Sequence, residues 1–201
     1  MKYEQWIAHF TKRLTILFGA RYRPHFQHVP WQDVFSLMNM LGTHHAMIMI
    51  KTLSGAWCTS DRFHEGTRRT CLFGCPDDLD DLKHYIYCPK LWTEIIMATD
   101  TTFLPCPLAR LGLDPPSLGH MLNVMIAFTS YHDLKLSKVE LLTSSTPAVR
   151  RTMIKEAVAL ALRTSRWAAR PAAIADMHAI SHSNSHSINI DNDIFSFLNT
   201  P

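Results

Sequence analysis

Four residues constrain this chain more than anything else in it: Cys71 and Cys75 with three residues between them, then His84 and Cys88 with three between them. Soft or borderline donors in two close pairs are the set that tetrahedral zinc takes. Gly74, inside the first pair, gives the backbone the positive φ it needs to fold back so that two thiols point at one ion. Asp77, Asp78, Asp80 and Asp81 suit the N-terminus of a following helix. Residues four apart on that helix lie side by side, so His84 and Cys88 face the knuckle together. The plain alternative, buried cysteines beside a satisfied histidine, accounts for single residues better than for two close pairs. Common fingers separate their first pair by two residues, so Cys58, His64 and Cys106 stand as reserve ligands. Four protein ligands close the shell, which makes the expected zinc structural, because a catalytic zinc keeps one position open.

The rest of the composition sets the frame for that site. A chain of 201 residues with 47% hydrophobic and 18% charged residues has the balance of one large or two small globular domains. A formal charge of +3 names no partner by itself, so any nucleic-acid argument depends on how the charge is arranged. The metal motif uses three of the five cysteines, which argues against a disulfide scaffold and for a reducing, intracellular setting. Lys2, Glu4, Lys12 and Arg13 leave no room for a secretory signal. The most apolar stretch, 37–53, is broken by Asn39, Gly42, His44, His45 and Lys51, so no membrane partner is expected.

Apolar periodicity predicts a mostly α fold, with helical layers around a small Cys-Cys-His-Cys knuckle-plus-helix module. Trp6, Ile7, Phe10, Leu14, Leu17 and Phe18 share one helix face, which Gly19 closes. Arg21, Arg23, His25 and His28 follow in a basic loop. Trp31, Val34, Phe35, Met38 and Leu41 predict one short helix, and Ala46, Met47, Ile50, Leu53 and Trp57 another. Pro89 is placed to start a helix carrying Leu91, Trp92, Ile95 and Ile96. Segment 99–116, with Pro105, Pro107, Pro115 and Pro116, reads as a connector. Leu118, Met121, Leu122, Met125, Phe128 and His132 mark a long helix ending near Leu136. Ser144-Ser145-Thr146-Pro147 caps a last helix to about Arg170. The corresponding divisions are an N-terminal helical segment 1–58, a zinc-binding module 59–98, the connector 99–116, a C-terminal helical segment 117–170 and a disordered tail 171–201. His178, His182 and His186 in that tail are spaced for weak metal binding if helical, but their Ser/Asn surroundings argue for disorder.

Wrapped at 100° per residue, the last helix puts Arg151, Lys155, Arg163, Arg166 and Arg170 in one sector, with Val149, Met153, Ala157, Leu160 and Trp167 opposite. Spaced cations of this kind can neutralise phosphates, although a solvated face is the commoner meaning of such a stripe. Arg62, Arg68 and Arg69, next to the knuckle, are the other candidates for phosphate contact. No phosphate loop, nucleophile elbow or suitably placed carboxylate pair occurs, so the chain is not expected to be an enzyme.

The order Trp57, Thr59, Arg62, His64, Cys71, Cys75, His84, Cys88-Pro89, Leu91-Trp92 resembles the zinc-binding region near the C-terminus of reverse transcriptases from non-LTR retrotransposons and their degenerate copies. In that family an apolar helix ends in a Thr-x-x-Arg-like turn, a cysteine pair follows, and a helix delivers His, Cys-Pro and a tryptophan. The resemblance covers roughly residues 46 to 92. It implies a zinc-held tail that contacts RNA or DNA and works beside an upstream polymerase domain of a parent protein. This sequence has no aromatic-x-Asp-Asp palm signature, so the expectation is a tail without its enzyme. A zinc-stabilised protein-interaction module is the alternative, with an exposed apolar patch around Trp92.

Overall fold

The computed structural model describes residues 3–62 and 69–166, and among them the protein is helical, with no strand. Arg68, His64, the Arg166 side chain, Trp167, Arg170 and the 171–201 segment with its histidines lie outside the described residues.

Helix α1 (Tyr3–Phe18) buries Trp6, Phe10, Leu14 and Phe18, four residues apart throughout, and ends at Gly19 as its sequence indicates. The basic loop after it is more ordered than expected, forming a 3-10 turn (Ala20–Tyr22) and a short helix α2 (Arg23–Gln27) that buries Phe26. Helix α3 (Trp31–Met40) buries Trp31, Val34, Phe35 and Met38.

Helix α4 (Thr43–Leu53) stops four residues before Trp57, where the periodicity carried it further. The reason is a Schellman C-cap. The Ala56 N–H reaches back to the Lys51 carbonyl (2.7 Å) and the Gly55 N–H to the Thr52 carbonyl (3.0 Å). Gly55 takes a φ of 66° that few other residues tolerate. Trp57, released from the helix, is fully buried and donates its indole N–H to Thr52 Oγ1 (2.9 Å).

Beyond the knuckle come α5 (Leu82–Tyr87), α6 (Pro89–Thr99), α7 (Pro107–Arg110), the long α8 (Leu118–Ser144) and α9 (Pro147–Arg166). Helix α8 runs past the expected stop near Leu136, but Lys138 breaks its geometry (φ −140°, ψ 17°), so two turns continue at a new angle. On α9 the buried stripe is Met153, Ile154, Ala157, Val158 and Ala161, set against α8 and α6, whereas Val149 and Leu160 are 48% and 49% exposed. This corrects the apolar face drawn from the sequence. Small alanines at 157 and 161 join Met153, Ile154 and Val158 in the seam, in place of Val149 and Leu160.

One hydrophobic core runs from Trp6 on α1 to Ala161 on α9, and the proline-rich segment 99–116 adds Leu108, Leu111 and Leu113 to it. Arg110 of that segment is 2% exposed. Its guanidinium lies over the rings of Phe103, Tyr87 and Trp92 and donates to the carbonyls of Leu104 and Ile86. Burial pushes its pKa down to about 10, which still leaves it charged at neutral pH. Among the described residues no helix is long and apolar enough to cross a membrane.

Candidate metal centre

The knuckle is a short reversal pinned at its base. Thr70 and Leu79 form an antiparallel bridge, the Cys71 N–H donates to the Asp78 carbonyl (2.8 Å), and the Asp80 N–H to the Arg69 carbonyl (2.9 Å). At the tip the Gly74 N–H closes a turn onto the Cys71 carbonyl (3.0 Å) with φ at 86°, the conformation the sequence reserved for this glycine.

The four aspartates that precede α5 divide their work. Asp81 is the N-cap, accepting from the His84 N–H (2.6 Å). Asp78 Oδ2 lies 3.3 Å from His84 Nδ1, which orients the ring, and Asp77 is exposed. Asp80 is fully buried. It accepts from the Ser60 N–H (2.9 Å), the Tyr85 hydroxyl (2.7 Å), the Tyr131 hydroxyl (2.8 Å) and Lys135 Nζ (2.8 Å). The Tyr85 hydroxyl in turn accepts from the Leu72 N–H (3.2 Å), so the knuckle is tied through Tyr85 and Asp80 to α8.

Cys88 differs from the expected helix partner of His84. It lies at the joint between α5 and α6 with φ −52° and ψ 110°, where Pro89 begins the new helix, and that joint swings its thiol toward the knuckle. Cys71 and Cys75 Sγ each lie 3.8 Å from Cys88 Sγ, and the four donor atoms of Cys71, Cys75, His84 and Cys88 are all within 4.8 Å of one another. The three cysteines are at most 4% exposed, and His84 Nε2 is buried with no well-formed hydrogen bond. A buried imidazole nitrogen turned toward three thiols fits the place of a metal ligand. The group can hold a metal ion.

The electrostatics favour stored negative charge. A hydrogen bond from Cys88 is the largest influence on Cys71 and holds it at about 4 against the opposing effect of burial, and the same Cys88 contact lowers Cys75. Cys88, in contact with both of these sulfurs, is pushed up. Burial lowers the His84 pKa, but the Cys71 contact and the two thiolate charges outweigh it and raise it to about 9. A cation at the centre would satisfy all four groups at once.

Of the reserve ligands, Cys58 and Cys106 lie apart from this cluster. The half-buried Cys58 uses its N–H and carbonyl on His132 Nε2 (3.2 Å) and the Tyr131 hydroxyl (3.1 Å), while Cys106 is exposed ahead of α7. Of the candidate phosphate contacts, Arg62 is exposed but donates to the Ala56 carbonyl (3.0 Å), and Arg69 is exposed. Lys155 and Arg163 are exposed on α9. Arg151 is engaged: its Nε donates to Glu94 Oε1 (2.8 Å), a carboxylate only 4% exposed.

Sequence reasoning missed Arg150. A methyl group added at Gly74 would lie 2.0 Å from Arg150 Nη1, so the guanidinium occupies the space that the missing side chain leaves. It is held there by donating Nε to the Leu142 carbonyl (2.9 Å) and Nη2 to the Ser145 carbonyl (3.0 Å). Nothing in the spacing pairs residue 150 with residue 74, since the link exists only once α9 folds back. Compared with protein-family models, curated proteins and solved structures, the chain matches none of them.

Proposed function

We propose that the chain is a zinc-held, non-catalytic module that contacts nucleic acid, of the kind found at the C-terminus of non-LTR retrotransposon reverse transcriptases. The observation that carries the zinc is the ligand geometry. Metal–sulfur bonds of about 2.3 Å at tetrahedral angles give sulfur–sulfur edges of about 3.8 Å, and the two edges to Cys88 are 3.8 Å each. Three thiols and one imidazole are a zinc donor set, with Asp78 oriented behind the imidazole. The ion would supply cross-linking of the knuckle to the α5–α6 joint. With Cys71, Cys75, Cys88 and His84 filling its shell, no position is left for a reacting water.

Support for nucleic acid is the set of exposed cations, Arg62, Arg69, Lys155 and Arg163, together with the resemblance over residues 46 to 92. Binding of RNA or DNA oligonucleotides followed by electrophoretic mobility over a series of salt concentrations tests it. Affinity that falls steeply with salt is the expected result, and no binding at low salt would defeat the reading.

A second reading, a protein-interaction module, gains from Leu136 and Leu141, which are 78% and 55% exposed near the end of α8. Trp92, around which that reading expects a patch, is itself only 4% exposed. Salt-insensitive association with a protein partner, abolished by Leu136→Glu, would favour it.

A further inference from the structure

Between the knuckle tip, the first turns of α6 and the first turns of α9 lies an open groove of 640 Å³. Its apolar floor is Pro89, Pro147 and Ala148, exposed over the buried Phe73 and Ile154, and its walls carry Lys90, Arg150 and Arg151 against a single carboxylate, Glu94. That carboxylate is already bound to Arg151, so the groove retains two cations without a counter-charge. Lys90 is exposed and has no hydrogen-bond or ion-pair partner among the described residues. Arg150 is half-buried, and its two bonds go to main-chain carbonyls, which fix the guanidinium without neutralising it; Nη1 is left over at the face of Gly74. A fixed, partly desolvated guanidinium with no anion is the arrangement that binds phosphate, because the cost of orienting the donor is met in folding. The positive ends of α6 and α9 add to the same field.

We propose that this groove receives one nucleotide of a single-stranded nucleic acid, its phosphate between Lys90 and Arg150 and its sugar or base on the apolar surface of Pro89, Pro147 and Ala148. The choice of polymer rests on the nucleic-acid reading above, but the groove narrows it. A duplex presents only phosphates and groove edges, whereas an apolar floor beneath paired cations fits a base that has left its stack. The knuckle supplies Phe73 and Gly74, so metal binding and nucleotide binding are linked through the same turn.

The test is amide chemical-shift mapping on the full, zinc-loaded chain with two separate probes, uridine monophosphate and a single-stranded oligouridylate, alongside salt-dependent affinity for the oligonucleotide. Shifts at Gly74, Lys90 and Arg151 are expected with both probes. Lys90→Glu, acidic in the first turn of α6 where the helix tolerates it, should keep the fold, weaken the oligonucleotide about tenfold and lower its salt slope by about 0.7. Oligonucleotide binding that leaves Gly74 and Lys90 unshifted with either probe would overturn the groove and leave the broader nucleic-acid reading standing. Groove shifts with the mononucleotide but no oligonucleotide affinity would overturn the polymer, and with it both readings. Phosphoserine binding as tightly as uridine monophosphate would overturn the choice of a nucleotide.

Discussion

Asp80 shows how much one side chain decides here. Burial raises its pKa, but the Lys135 ammonium, the Tyr85 hydroxyl, the Ser60 N–H and the Tyr131 hydroxyl together hold it below the ordinary carboxylate value. A carboxyl depressed in the folded state contributes stability above its unfolded pKa of about 3.9, and that contribution is lost as pH falls through the folded value. Asp80→Asn should therefore destabilise the chain by about 3 kcal/mol at pH 7, since it removes the buried carboxylate charge that Lys135 meets at 2.8 Å. In urea unfolding across pH, the gap between wild type and variant should narrow below about pH 4; a gap independent of pH would show that the charge is not what matters. The sequence displayed four aspartates before a helix and offered one shared reason, capping, but only Asp81 caps. The role of Asp80 depends on Tyr131 and Lys135, some fifty residues away, and no local pattern carries such a contact. Gly74, by contrast, was legible, because two cysteines flanking a turn require its backbone. Gly74→Ala should cost about 1–3 kcal/mol from the positive φ. It should also displace Arg150, seen as faster amide exchange around Ser145; unchanged exchange there would mean that Arg150 finds another seat.

Among the elements, legibility follows whether the burying surface is near in sequence or far. Helices α1 and α3 were readable because large apolar side chains recur every three or four residues and most of them go inward, Ile16 excepted. The end of α4 lay in main-chain geometry at Gly55, and the face of α9 lay in which neighbours came close. Arg151, counted with the phosphate contacts, spends its Nε on Glu94, which separates it from Lys155 and Arg163. Arg151→Gln should destabilise by about 1–3 kcal/mol by leaving a buried carboxylate poorly paired, and adding Glu94→Gln should recover part of that loss. Lys155→Gln with Arg163→Gln should leave the melting curve in place and reduce the salt slope of single-strand binding by about 0.7 for each phosphate contact removed. If the pair changed neither, α9 would present a solvated face and no more.

At the scale of the whole molecule, the knuckle is one corner of a core shared by most of the helices. Trp57 packs against Tyr131 and Tyr85, with ring centroids at 5.5 Å and 6.4 Å, those two rings are themselves 4.3 Å apart, and Trp92 donates to the Tyr85 carbonyl (3.0 Å). Loss of the metal should therefore be felt first across residues 70 to 92 and then as slackening where α5 meets α8, while α1 and α3 keep their own aromatic packing. Structural zinc contributes an apparent 10–16 kcal/mol in small finger peptides, about as much as the roughly 5–15 kcal/mol that holds a whole domain. Cys75→Ser or His84→Ala should reproduce the local unfolding, and Cys106→Ser should do almost nothing because that thiol is exposed and apart from the site. Hydrogen exchange over residues 70 to 92, on a chain purified without chelator and again after chelation, tests the metal directly. The expected result is about one zinc per chain, with strong protection that disappears when the ion is stripped and returns when it is restored. A chain that carries no metal, and whose exchange over those residues is the same before and after chelation, would contradict it.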